Sequence, residues 1–102
     1  MSILESFKLE GLVAVVTGAG AGIGRAIVEL FSKAGAEVVV NDLKAEAAKK
    51  VADTVQKSGG SAVAVPCNVT EDAARKQMVE RALDAFGKIT ILVNNAGGGG
   101  AR

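Results

Sequence analysis

The sequence predicts an α/β fold: a doubly wound parallel sheet of strand order 3-2-1-4, truncated after its fourth strand. Three observations carry that prediction. Four short apolar runs alternate with three longer stretches whose apolar residues recur at helical spacing. The connections are too long for hairpins and each holds a helix, which implies parallel strands joined by right-handed crossovers. A glycine string separates the first strand from the first helix. In a doubly wound sheet the first strand sits in the middle, and a ligand site falls at the switch point between strands one and four.

Each element has its own justification. Residues 12–16, Leu-Val-Ala-Val-Val, form a continuous apolar run, as expected of a strand buried on both faces. From Ile23 to Lys33 the spacing becomes helical, with Ile23, Ala26, Ile27, Leu30 and Phe31 on one face and Gly35 as a terminator. Residues 37–41 hold Val38-Val39-Val40, a second buried strand. Residues 44–58 are helical, with Ala47, Val51 and Val55 in line and Gly59-Gly60 ending the run. Residues 61–66 alternate small and apolar side chains and close on the single proline, Pro66, giving a third strand. Thr70 is then a favourable N-cap, with Glu71 and Asp72 placed where carboxylates favour the helix dipole. The helix that follows carries Met78, Val79, Ala82, Leu83 and Phe86 on one face and stops at Gly87. Residues 89–93 form a fourth apolar, β-branched strand. No linker, repeat or low-complexity tract divides the chain, and Gly97-Gly98-Gly99-Gly100 is too short to be one. Residues 1–102 read as one partial domain.

Composition narrows the function. The 102 residues are 49% hydrophobic and 23% charged, a globular balance. Net charge is +1 with the two signs interspersed, and the aromatics are three phenylalanines, Phe7, Phe31 and Phe86. A nucleic-acid surface needs a basic face and stacking rings, so no nucleic-acid partner is expected. No apolar run approaches the ~20 residues of a membrane span, and Glu5, Lys8 and Glu10 stand where a secretory signal needs its apolar core. The expectation is a cytoplasmic protein with no membrane partner. Cys67 is the single cysteine and histidine is absent, which leaves no internal disulfide and no Cys/His metal site.

The chemistry is carried by three motifs. The first is Thr17-Gly18-Ala19-Gly20-Ala21-Gly22-Ile23-Gly24. A tight turn here would bring backbone N–H groups and the positive helix end onto one point, where side chains are absent and a pyrophosphate fits. The common dinucleotide spacing G-x-G-x-x-G fails, since from Gly18 its last glycine falls on Ile23; the phosphate-loop pattern fails as well, because no Gly-Lys pair follows the loop. The pattern that fits is T-G-x-x-x-G-x-G on Thr17, Gly18, Gly22 and Gly24. A bare glycine turn without ligand is the plain alternative. The second motif is Asp42, which ends the second strand at close to the ~20-residue separation expected of a ribose-binding acid. Its carboxylate would repel a 2′-phosphate, and the glycine loop holds no Lys or Arg, so NAD is expected over NADP, with Lys44 a nearby cation that leaves NADP as the alternative. Asp42 as a simple cap of the next helix is the alternative. The third motif is Asn94-Asn95-Ala96-Gly97, polar amides at the fourth strand's carboxyl end that can brace the loop.

In this combination the chain resembles the short-chain dehydrogenase/reductase family along essentially its whole length. The resemblance implies a Rossmann-type fold and an NAD-dependent oxidoreductase acting on a secondary alcohol or ketone. It places the cofactor on Gly18, Gly22, Ile23 and Gly24 of the loop and puts Asp42 on the adenosine ribose. Leu43 and Val69 would flank the adenine, with the backbone of Asn95 on its other side. Residues 17–24 and 94–100 are similar, more narrowly, to the bacterial 7α-hydroxysteroid dehydrogenase branch, which implies a hydroxysteroid-like substrate. The resemblance further implies a homo-oligomer when the protein is complete.

Two departures from the family pattern bear on function. Asn68 stands where the family usually has Asp, an acceptor for the adenine amino group; its amide oxygen would accept more weakly. The family's chemistry also rests on a Ser, a Tyr-x-x-x-Lys pair and a further Asn in its second half, and these 102 residues contain no tyrosine. Residues 1–102 therefore carry no catalytic group by this resemblance, and no turnover is expected of them alone. The alternative function is a non-catalytic NAD-binding or partner-docking module. The fourth strand should be buried on both faces and paired on both edges, yet no fifth strand follows. An open apolar edge would make the isolated chain marginally stable and prone to self-association. Cys67 reads as a small buried residue.

Overall fold

A computed structural model of the chain describes residues 8–95. Its elements are β1 (Val13–Val16), α1 (Gly22–Lys33), β2 (Glu37–Val40), α2 (Ala45–Lys57), β3 (Ala62–Ala64), α3 (Asp72–Phe86) and β4 (Ile91–Val93). The strands form one sheet in the order β3-β2-β1-β4, every pairing parallel, as the sequence predicts. Phe7, Ala96 and the Gly97–Gly100 run lie outside the described residues.

The chain runs outward from β1 through β2 to β3 with α1 and α2 on one face. It then returns across the sheet to β4, and α3 lies on the opposite face, as right-handed crossovers require. The period-2 alternation of the strands divides the core accordingly. Val16, Val38 and Val40 meet Val28, Ala48, Val51, Ala52 and Val55, while Val15 and Val39 face Met78 and Ala82 on the other side. Burial on both faces explains why β1 and β2 are valine runs without polar alternation. Gly87 ends α3 in the left-handed conformation, and its N–H donates to the Leu83 carbonyl at 2.7 Å.

The helix faces are turned from those expected. In α1 the buried residues are Gly24 and Val28, flanked by the partly buried Ile27 and Phe31, whereas Ile23, Ala26 and Leu30 point outward. Gly24 has no apolar side chain, so hydrophobic spacing skips it, yet its close approach to the loop sets the helix rotation. In α2 the core residues are Ala48, Val51, Ala52 and Val55, and Ala47 is only half-buried, beside the glycine loop. In α3, Met78 and Ala82 are buried, but Val79 and Leu83 remain exposed, Val79 on an open groove beside β4.

Two further expectations are corrected. Thr70 is not the cap of α3: the cap position falls at Glu71, without a side-chain bond, and Thr70 turns back to Asn68. Nor is β4 buried on both faces. Leu92 is 64% exposed on an open groove beside α3, and among the described residues β4 pairs only with β1, at the sheet's edge.

Candidate functional site

The described residues of all three motifs, Asn94 and Asn95 of the third, converge at the carboxyl ends of β1, β2 and β4. Thr17, buried directly after β1, ties two of these ends together. Its Oγ1 accepts from the Asn95 backbone N–H at 2.9 Å and donates to the Val93 carbonyl at 3.3 Å. The Asn95 amide Nδ2 donates to the Gly18 carbonyl at 3.1 Å. Asn95 thus braces the glycine loop from the β4 side through both its backbone and its side chain.

The loop then turns on Gly18 and Gly22, with φ of 62° and 61°, a region that side chains disfavour. Gly24 serves a different purpose. A Cβ there would collide with the Gly18 carbonyl oxygen and lie 2.8 Å from Asn95 Nδ2, so only glycine lets α1 start this close to the end of β1. Ala21 is the cap residue of α1; no side chain bonds to the helix's first N–H groups and no acid occupies the first turn. Those N–H groups and the helix dipole are therefore open to an anion from outside the chain. Ile23, 74% exposed, stands at the rim of that opening.

Asp42 sits half-buried just beyond β2, and the structure gives it a role the sequence did not disclose. Its Oδ2 accepts from the Gly20 N–H at 2.9 Å and its Oδ1 from the Lys44 N–H at 3.0 Å. It is not the cap of α2, which is Lys44. The carboxylate is instead locked against the glycine loop, with lone pairs left for hydroxyl donors. Gly20, absent from the sequence-predicted set, makes this possible: a Cβ on it would come within 2.7 Å of Asp42 Oδ2 and 2.6 Å of Ala47 Cβ. The signal for it was present in the string, but it lies outside the T-G-x-x-x-G-x-G pattern.

Asn41 was also missed. It is 1% exposed, its carbonyl accepts from the Ala19 N–H at 2.7 Å, and its Nδ2 donates to the Val65 carbonyl at 2.9 Å and weakly to the Cys67 carbonyl at 3.4 Å. The Cys67 N–H in turn donates to the Asp42 carbonyl at 3.2 Å. The segment after β3 is thereby fastened beside the end of β2. Asn68 and Val69, both half-buried, follow on this segment, and Leu43 lies 70% exposed on the neighbouring turn. The Asn68 Oδ1 accepts from the Thr70 backbone N–H at 3.0 Å and from its hydroxyl at 2.6 Å.

The arrangement is a row of polar groups across the strand ends, with an open helix N-terminus over β1, a fixed carboxylate at β2 and a pinned loop at β3. The sequence profile described as short chain dehydrogenase matches residues 12–102 of this chain. The chain belongs to the short-chain dehydrogenase family. Among individual short-chain dehydrogenases, the 7alpha-hydroxysteroid dehydrogenase of Escherichia coli K12 is 46% identical over 98 residues, covering 96% of this chain and 38% of that protein. The cyclohexanol dehydrogenase of an Acinetobacter species is 41% identical over 97 residues, 95% of this chain and 39% of its own length. A solved structure of 7α-hydroxysteroid dehydrogenase complexed with NADH and 7-oxo glycochenodeoxycholic acid superimposes with a TM-score of 0.90 at 46% identity, covering 98% of this chain and 39% of that one. The chain thus spans about two fifths of the length of the short-chain dehydrogenases it matches.

Proposed function

We propose that this chain is the cofactor-binding half of a short-chain dehydrogenase-type oxidoreductase that uses NAD and acts on a secondary alcohol or ketone, with a hydroxysteroid as the favoured substrate class. The observation that carries the reading is the Asp42 carboxylate, held 2.9 Å from the Gly20 N–H beside the uncapped start of α1. A pyrophosphate seated on that helix end would put its adenosine ribose within reach of Asp42, whose free lone pairs accept from the ribose hydroxyls. The same carboxylate disfavours a 2′-phosphate, and the loop offers no Lys or Arg to offset it, which supports NAD over NADP. In this proposal Gly18, Gly22, Ile23 and Gly24 line the phosphates, Leu43, Asn68 and Val69 surround the base, and Asn95 fixes the loop between them. The nicotinamide of a bound NAD would supply the hydride donor or acceptor; these residues would hold the adenosine and pyrophosphate that carry it.

The relatives named for hydroxysteroids and cyclohexanol support the substrate class. The proposal also includes a cytoplasmic location and a homo-oligomeric complete protein. No helix among the described residues is long and apolar enough to cross a membrane.

Titration of the chain with NAD, NADP and flavin mononucleotide tests the proposal. NAD should bind at least about tenfold more tightly than NADP, worth ~1.4 kcal/mol, and the flavin not measurably. Tight flavin binding without NAD binding overturns it. A non-catalytic NAD-binding or partner-docking module is the second reading, favoured by the absence of tyrosine and histidine from the 102 residues. The two part on the reading frame beyond the Arg102 codon. A Ser and a Tyr-x-x-x-Lys pair there supports the oxidoreductase, and an immediate stop supports the module.

A further inference from the structure

Gly20 is a glycine for a reason that backbone strain does not supply. Gly18 and Gly22, two residues away on either side, hold positive φ, whereas Gly20 does not, so the loop conformation itself would accept an L side chain there. What excludes one is space. A Cβ on Gly20 would lie 2.6 Å from Ala47 Cβ and 2.7 Å from Asp42 Oδ2. The glycine loop, the first turn of α2 and the acid after β2 therefore meet at one point. They can approach so closely because residue 20 has no side chain and residue 47 carries only a methyl group.

The carboxylate at that point is gripped at both oxygens. The Gly20 N–H donates to Oδ2 at 2.9 Å and the Lys44 N–H to Oδ1 at 3.0 Å, so the group cannot turn without breaking a charge-assisted bond. The Lys44 bond is local, an aspartate turning back on its own backbone two residues on. The Gly20 bond alone spans distant segments and ties the charge to the glycine loop. A methyl group on residue 20 would press on two neighbours of unequal stiffness. Ala47 Cβ is fixed to a helix, whereas Asp42 Oδ2 is the free end of a rotatable side chain. The carboxylate is what yields, and it swings away from the loop.

Resting on the nucleotide-binding reading, we propose that Gly20 is a positioning residue for cofactor choice. By lacking a side chain and donating its N–H, it holds the Asp42 charge against the loop and so sets the strength of the preference for NAD over NADP. Ala47 completes the seat from the α2 side. Asp42 supplies the charge, and Gly20 with Ala47 supplies its place. A carboxylate swung toward solvent keeps its charge but meets a 2′-phosphate from farther away and through more water, where repulsion is weaker. An acid at position 42 is therefore not sufficient for discrimination; residue 20 must leave room for it.

The test is calorimetric titration of the chain and of Gly20→Ala with NAD and with NADP. In Gly20→Ala the ratio of the two affinities should fall about fivefold, the scale of one net hydrogen bond, through weaker NAD binding. NADP affinity should change less than about twofold, since its phosphate escapes the charge as NAD loses it. A merely structural role for Gly20 would weaken both dinucleotides by the same factor, and an unchanged ratio overturns the proposal. Should Gly20→Ala fail to fold, Gly20→Ala/Ala47→Gly removes the clash with the helix, keeps the one with Asp42, and should show the same loss of ratio. Adding Gly20→Ala to Asp42→Ala should leave the ratio where Asp42→Ala alone puts it, because no carboxylate remains to displace. A further fall there would overturn the claim that Gly20 acts through Asp42, with the nucleotide site left standing. No preference for NAD in the unaltered chain, or no binding of either dinucleotide, overturns the underlying reading and the proposal with it.

Discussion

β2 and β4 pair with the same central strand in the same parallel sense, yet they live in different surroundings. Val38, Val39 and Val40 are fully buried, with strands on both sides and helices on both faces. In β4, Leu92 is 64% exposed and faces an open groove of about 710 Å³ lined by Val15, Met78, Val79, Ile89 and other residues of α3. The polar ends of the two strands differ in the same way. Asp42 and Asn41, beyond β2, are held by bonds to the glycine loop and to the segment after β3. The Asn95 contacts, beyond β4, hang on an edge strand. The adenosine side of the site therefore stands on the closed part of the core, and affinity for that half of a dinucleotide should be separable from the condition of the β4 edge.

The largest effect should come where the two regions meet. Gly24→Ala drives a methyl group into the Gly18 carbonyl and against Asn95. It should cost about 3 kcal/mol in urea unfolding, the upper range of overpacking, and abolish measurable ADP-ribose binding; an unaltered midpoint would break the link between loop and helix. Next, Val39→Ala should cost about 2 kcal/mol, for lost burial plus a cavity, whereas Leu92→Ala should cost under about 0.5 kcal/mol. Equal losses from paired denaturation curves would erase the contrast between the strands. Asp42→Ala should then weaken ADP-ribose binding about tenfold, ~1.4 kcal/mol, and lessen the preference for NAD over NADP. The smallest change is Leu92→Lys. It should lower self-association, seen by sedimentation, while altering ADP-ribose affinity less than about twofold. A large loss of affinity would show that the edge and the site are coupled.

Much of the architecture was legible in the sequence because buried parallel strands and amphipathic helices leave separable patterns, and glycines mark the turns between them. The order 3-2-1-4 follows from those patterns and from crossover handedness. The face of α1 was not legible, since the residue that sets it, Gly24, carries no hydrophobic signal. Thr70 was misassigned as a cap because its hydroxyl suits that position equally well, and only the fold brings Asn68 to it. At the site, residue types and spacing pointed to Asp42 and the loop. They could not reveal that Asp42 holds Gly20, or that Asn41 pins the next loop, because both are bonds between segments distant in sequence. The exposure of Leu92 was hidden for a related reason: an apolar run looks the same whether or not anything covers it.

The central claim is that these residues build the adenosine half of a nicotinamide-dinucleotide site. Comparing the affinities of ADP-ribose and NAD for the chain tests it most directly. The account predicts saturable binding of both, with dissociation constants within about threefold of each other. No binding of ADP-ribose would contradict it, as would NAD binding ten times more tightly, a difference of ~1.4 kcal/mol that only an existing nicotinamide pocket could supply.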